Sequence, residues 1–426
     1  MSTTTYITKQ RTFIFPRDNV TFQTLTDLFF IHKKYRSCPN LDIVIRQLNF
    51  DFYHDLLPII AQWASDHTQS NPVKPLQANI TARVTYTSAQ ARYLLANAFF
   101  LNTTKGYGSI DLIDLYHVPF DRVAIERIRC LIEYFRLSSQ QQDKNDDREI
   151  SIERYSYAEE LPDWKKQLDA IQESKVSVFA ERMEASEEAQ GFVDFANKQI
   201  HIHSITSSAT QEEILCKILL SEILLSSKKR LFSFFLVSCC PEAFLAILVC
   251  DTLRSDEVVI LRGCKRFSDY RGYGETFQFV GPYANQNPTH IQDILIMDAC
   301  LSNHFSRCHI DRDLGKAWAA FAKARDEIIV TGNWGCGVFG GDPMFKFLQQ
   351  VCAASVLVDT VKKLDYSAYG DDRLVSKLKD LMKQLEKKKK TVADVYRMMI
   401  KYGENEIRCS SKPIFSYYVN EWLNDS

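Results

Sequence analysis

The hydrophobic pattern changes period near residue 140. Before it, apolar positions cluster as they do in packed helices. Tyr93-Leu94-Leu95-Ala96-Asn97-Ala98-Phe99-Phe100 is too continuous for a solvent-facing helix, and Ser88, ahead of it, is placed to cap it. Residues 127–135 predict a second, amphipathic helix, so residues 1 to about 137 read as mainly helical. The run Ser138-Ser139-Gln140-Gln141-Gln142-Asp143-Lys144-Asn145-Asp146-Asp147 has no apolar residue and predicts an exposed or mobile linker. Beyond it the period becomes two. Ile150-Ser151-Ile152 and Val176-Ser177-Val178 alternate as half-buried strands do. Val258-Val259-Ile260-Leu261 and Ile294-Leu295-Ile296-Met297 are unbroken, as in strands covered on both faces. Helical patterns at 213–225, 343–358 and 373–390 fall between and after them. Strands interleaved with helices predict an α/β layered domain over 141–426, behind a helical accessory domain over 1–140.

Composition narrows the function. The chain has 426 residues, enough for two or three domains or one large core with an appendage. Its 52 Lys and Arg nearly balance 53 Asp and Glu, leaving a net charge of −1. No global field draws it to nucleic-acid phosphate, so a polyanion has to be held by a local site. Twelve cysteines include one adjacent pair, Cys239-Cys240, and no C-x-x-C. That pattern reads as reduced intracellular thiols, with neither a disulfide framework nor a zinc site. Met1-Ser2-Thr3-Thr4-Thr5 does not open a secretory signal. The apolar stretch 231–250 carries Pro241-Glu242 near its middle, which predicts buried core and no membrane span. Lys387 to Lys390 reads as a solvated helix end that complements the helix dipole; its sharper reading is a nuclear-import signal.

The chemistry centres on Val193-Asp194-Phe195-Ala196-Asn197-Lys198 and on Gln211-Glu212-Glu213, which begins 17 positions after Asp194. A strand delivers an Asp and an Asn, and two adjacent carboxylates then open a helix. That order suits chemistry on a sugar, because glycosidic cleavage needs a carboxyl group that gives and then takes a proton. Two further segments carry signals: Gly272-Tyr273-Gly274-Glu275-Thr276-Phe277, and Thr331-Gly332-Asn333-Trp334-Gly335-Cys336-Gly337-Val338-Phe339-Gly340-Gly341-Asp342.

Together these motifs resemble the poly(ADP-ribose) glycohydrolase family, from about residue 85 to about residue 400. The run 333–342 is the most specific of them; a bare Gln-Glu-Glu means nothing alone. The segment 94–100 is similar to part of the family's accessory domain, and Thr391-Val392-Ala393-Asp394-Val395-Tyr396 to its C-terminal helix. The resemblance implies a macrodomain-like mixed sheet between helices, with an ADP-ribose cleft at the strand ends. It implies no metal and no cofactor. The expected partners are poly(ADP-ribose) and ADP-ribosylated proteins, without direct nucleic-acid binding or membrane attachment. A monomer, nuclear or cytoplasmic or both, is expected.

The resemblance also implies roles. Glu213 protonates the departing ribose oxygen and then activates water, while Glu212 hydrogen-bonds ribose hydroxyls. Without the flanking motifs, both are first-turn carboxylates stabilising a helix. Gln211 belongs to the substrate-binding set as part of the signature. Asp194 supports the ribose side of the pocket, and Asn197 reaches the sugar or the loop; an Asx turn ending a strand is the plain alternative. Tyr273 lies over the substrate or is simply a half-buried aromatic. Asn333 and Phe339 flank glycines, Gly337 among them, whose backbone N–H groups approach the diphosphate. Phe339 packs on the terminal ribose and Tyr369 stacks on adenine. Glu184 falls near the position that recognises the adenine amino group.

Two departures stand out. The family's glycine triplet is replaced by His201-Ile202-His203. A β-branched residue resists positive φ, and side chains block backbone approach to a diphosphate. Residues 199–203 alternate as a strand would, which puts the two His on one face. Between Glu213 and Tyr273 the chain also runs roughly twenty residues beyond the family pattern, an excess centred on 216–238. Two functions follow: a glycohydrolase that cleaves ribose–ribose bonds, or a catalytically impaired ADP-ribose-binding module.

Overall fold

The computed structural model describes residues 10–15, 20–29, 37–70, 74–102, 105–117, 120–140, 147–157, 160–200, 238–272, 274–284, 291–325, 327–337, 339–408 and 414–425. Ten strands are described: β1 (Ala82–Thr87), β2 (Glu149–Ser156), β3 (Val176–Phe179), β4 (Gly191–Ala196), β5 (Glu257–Lys265), β6 (Ser268–Arg271), β7 (Gln278–Pro282), β8 (Ile291–Asp298), β9 (Ile328–Gly332) and β10 (Lys363–Ser367). Eight form one mixed sheet in the order β1-β2-β5-β8-β4-β9-β10-β3, and β6 and β7 form a separate hairpin. The five strands from β8 to β3 are parallel, whereas β1, β2 and β5 run antiparallel to their neighbours. The unbroken apolar runs in β5 and β8 are buried throughout, as sandwiching between helices requires.

Helices Arg307–Lys323 and Pro343–Ser355 pack on each other, and Arg307–Lys323 also covers β5 and β8. On the N-terminal side, Pro39–Arg46, Leu57–Ser65, Ser88–Phe99 and Arg122–Ser138 bury Phe52, Phe99, Tyr116 and Phe135 against one another. This region is not wholly helical, because β1 lies within it and pairs with β2 along the sheet edge.

Two local expectations are corrected. The cap of helix Ser88–Phe99 is Thr87, not Ser88: the Thr87 side chain accepts from the Gln90 N–H, and the Gln90 side chain accepts from the Thr87 N–H. Residues 199 and 200 are not strand. Asn197 Oδ1 accepts from the Gln199 N–H at 2.9 Å, and this Asx turn ends β4. No described helix is long and apolar enough to cross a membrane. The described part of the apolar stretch, 238–250, is buried core. Residues 141–146 of the linker, the helical pattern 213–225 and the excess up to residue 237 lie outside the described residues.

Candidate active site

The sheet parts at its centre. β4 pairs with β8 at six positions but with β9 only at Gly191↔Ile329 and Phe192↔Val330. The chain moves one way from β4 to β5 and β8, then returns past β4 to β9 and β10. A reversal of this kind leaves a crevice at the C-terminal strand ends, where α/β sheets bind ligands. Phe195 wedges the gap. Its Cζ lies 3.5 Å from where a Cβ on Gly332 would stand, and that Cβ would meet the Ser367 carbonyl oxygen at 2.6 Å. Only glycine fits there.

Four strand ends bring the expected residues to this edge. Asp194, on β4, is 2% exposed, and its Oδ2 has no hydrogen-bond partner among the described residues. Burial pushes its carboxyl up to about 7. Asn197, just past β4, is also buried; its Nδ2 has no partner among the described residues. A buried amide left this way is costly, so both groups are suited to meet a ligand or a neighbouring loop. Asn333, just past β9, accepts from the Tyr366 hydroxyl at 2.9 Å and donates to the Ala368 carbonyl at 3.4 Å. Tyr369, past β10, is 48% exposed with φ +25°. The Ala368 and Gly370 N–H groups donate to Phe179 and Ala180 carbonyls at 2.9 and 2.7 Å, holding this turn beside β3. Burial raises the Tyr369 hydroxyl above its ordinary value, and the Glu184 carboxylate adds to the shift. Glu184 is buried and accepts a short hydrogen bond from the Tyr270 hydroxyl. The Arg182 guanidinium covers the Tyr270 ring at 4.9 Å and pairs with Asp269 at 2.8 Å. Asn333, Tyr369 and Glu184 are thereby gathered around the ends of β3, β9 and β10.

The glycine loop closes the edge. The Trp334 ring is buried, and its indole N–H donates to the Met297 carbonyl at 3.2 Å. Gly335 has φ +72°, and a Cβ there would stand 2.6 Å from Ala299 Cβ. Gly340 N–H donates to the Gly337 carbonyl at 3.1 Å, and Gly341 N–H to Gly335 at 3.0 Å. Gly337 itself is exposed and Phe339 is buried. Asp342 then caps helix Pro343–Ser355 by accepting from Phe345 N–H at 2.9 Å.

Beneath the loop lies a charged cluster that sequence reasoning missed. The Lys346 ammonium pairs with Asp313, and Arg312 bridges Asp313 and Asp298. Lys316 pairs with Asp298 and donates to the Arg254 and Glu257 carbonyls. Burial alone would raise the Asp313 carboxyl, yet the charges of Lys346 and Arg312 hold it well below the usual range. Burial pushes Lys316 down to about 8. Three cations face two anions, so one positive charge is in excess. Lys346 Cε passes 3.1 Å from where a Gly341 Cβ would stand, directly under the loop. The available signal was Arg312, Asp313 and Lys316 at helical spacing among Leu314, Ala317 and Ala319. The ligand atoms of Cys300, His304 and Asp313 lie within 4.8 Å of one another, but the Lys346 ammonium already fills the cation position beside Asp313.

Gln211, Glu212, Glu213 and Tyr273 lie outside the described residues, as do His201, Ile202 and His203.

A helical region joined to a mixed sheet, with a glycine loop over the strand ends, defines a macro-fold protein with a helical accessory part. Two family models of poly(ADP-ribose) glycohydrolase match it, the Macro domain fold over residues 161–376 and the helical domain over 46–154. The chain belongs to the poly(ADP-ribose) glycohydrolase family. It is 25% identical over 347 residues to poly(ADP-ribose) glycohydrolase 1 of Caenorhabditis elegans, covering 75% of this chain and 40% of that protein. It is 23% identical over 415 residues to poly(ADP-ribose) glycohydrolase 1 of Arabidopsis thaliana, covering 76% of this chain and 71% of that protein. The chain therefore spans about 40% of the length of the nematode relative. Among solved structures, apo poly(ADP-ribose) glycohydrolase from Deinococcus radiodurans is similar at 15% identity, 55% of this chain, 93% of that chain and a TM-score of 0.30.

Proposed function

We propose that this chain hydrolyses the ribose–ribose O-glycosidic bonds of poly(ADP-ribose), including polymer carried on modified proteins, and releases ADP-ribose. One observation carries the reading. The glycine loop follows β9 at the strand ends where β4 and β9 part, above a buried cluster in which three cations face two anions. A diphosphate is the anion such a loop and floor suit. In the reaction, Glu213 donates a proton to the departing ribose oxygen, and the distal ribose passes through an oxocarbenium-like state. The carboxylate of Glu213 then takes a proton from the attacking water, while Glu212 orients the sugar. No metal or redox step is required. A second reading, binding without turnover, is favoured by His201-Ile202-His203 standing where the family carries glycines.

The test is release of ADP-ribose from purified polymer by the wild type and by Glu213→Gln. The expected outcome is release by the wild type and none by the variant, with ADP-ribose affinity within about threefold. A variant as active as the wild type removes Glu213 from its role. A wild type that binds ADP-ribose without releasing any selects the second reading.

A further inference from the structure

The Phe339 carbonyl accepts from His304 Nε2 at 2.6 Å, across 35 positions of sequence. A carbonyl can only accept, so Nε2 carries the proton. On the far side of the ring, Nδ1 faces Cys300 Sγ at 3.0 Å, and the same sulfur lies 3.0 Å from Asp313 Oδ2. Burial, with the Lys346 charge adding to it, lowers the imidazole below its ordinary value, and burial pushes the thiol up to about 12. The one Cys300 S–H donates to Asp313 Oδ2, so it is the Phe339 carbonyl, and not the thiol, that sets which ring nitrogen carries the proton.

The hold has a particular place in the loop. Asn333 and Trp334 are tied at one end by Tyr366 and Met297, and Asp342 is tied at the other by its helix. Among the described residues, His304 is the side chain that hydrogen-bonds the main chain within 335–341. His304 and Phe339 are both buried, so this bond is not traded for water.

We propose that His304 is a positioning residue for cleavage of the ribose–ribose bond: its grip on the Phe339 carbonyl fixes the loop peptide at the strand ends and, with it, the ring expected to pack on the terminal ribose. The proposal rests on the glycohydrolase reading. Loosening this end leaves the loop's other anchors intact. The loss then falls on orientation of the reacting sugar more than on binding of the adenosine end.

The experiment compares wild type, His304→Leu and His304→Gln with poly(ADP-ribose) as substrate. The Gln amide reaches the carbonyl, whereas Leu fills the space without donating. The Leu variant is expected to lose about 10- to 100-fold in kcat with KM within about threefold, and the Gln variant to stay within about threefold of wild type in both. Hydrogen exchange over 335–341 is expected to quicken in the Leu variant only. If the Leu variant does not fold, His304→Asn, too short to reach the carbonyl, takes its place. A Leu variant with wild-type kcat overturns the proposal. So does an equal loss in the Leu and Gln variants, which marks a merely structural role. A wild type that releases no ADP-ribose overturns the glycohydrolase reading instead, and exchange over 335–341 still reports whether His304 holds the loop.

Discussion

Tyr366 on β10 donates its hydroxyl to Asn333 Oδ1 at 2.9 Å, so the residue at the tip of β9 takes its orientation from the strand beside it. With its oxygen engaged, the amide turns Nδ2 toward Ala368, one residue before Tyr369. Tyr366→Phe removes the donor and keeps the ring against Phe347. It is expected to cost about 1 kcal/mol in denaturant unfolding. ADP-ribose affinity is expected to fall roughly 3- to 10-fold by calorimetric titration. Unchanged affinity would mean that Asn333 does not meet the ligand.

Asp194 links stability to pH. Its folded pKa of about 7 lies above the unfolded value of about 3.9. Below about pH 4 both states hold the proton and the group takes nothing from stability. As pH rises toward and through about 7, the unfolded state gives up its proton more readily and the advantage is lost. Asp194→Asn should therefore match the wild type near pH 4 and melt at a higher temperature than the wild type at pH 8. A gap of the same size at both pH values would rule the burial argument out.

Lys346 and Asp313 are both fully buried. Lys346→Met leaves the Asp313 carboxylate short of a partner and should cost about 3–5 kcal/mol. Asp313 then has Arg312 as its remaining cation, and adding Asp313→Asn, which removes the buried charge that Lys346 had shared, should restore part of that loss. Denaturant melts of the three proteins decide it, and a double variant no more stable than the single one refutes the coupling.

Replacing His201, Ile202 and His203 together by glycine should raise turnover on the polymer. Glycine carries no side chain to hold a diphosphate away from the backbone. Steady-state kinetics give the answer: a wild-type rate in the triple-glycine variant would mean that this stretch does not meet the diphosphate.

The central strands were legible because burial on two faces leaves an unbroken apolar run, as in β5 and β8; the alternation at Ile150-Ser151-Ile152 suggested one buried face, but Ser151, Glu153 and Arg154 are buried as well, held by polar partners such as Arg262 and Glu257. The glycine loop was legible because Gly335 and Gly332 stand where a Cβ would collide with Ala299 or Ser367. Other features were not. Thr87 ends β1 and caps the next helix at once, a double role that made Ser88 look like the cap. The alternation at 199–203 suggested strand, but the Asn197 side chain competes for the backbone and turns the chain at Gln199. The charged floor could not be read because nothing in a sequence says that Asp298, Asp313 and Lys346 will meet.

Antiparallel pairing of Ala82–Thr87 with Glu149–Ser156 has a practical meaning. A fragment starting at residue 141 would strip the outermost strand and leave a raw row of amide and carbonyl groups open to any passing chain. The seam between the two halves of the molecule runs through hydrogen bonds, and severing it invites clumping before chemistry can be asked about.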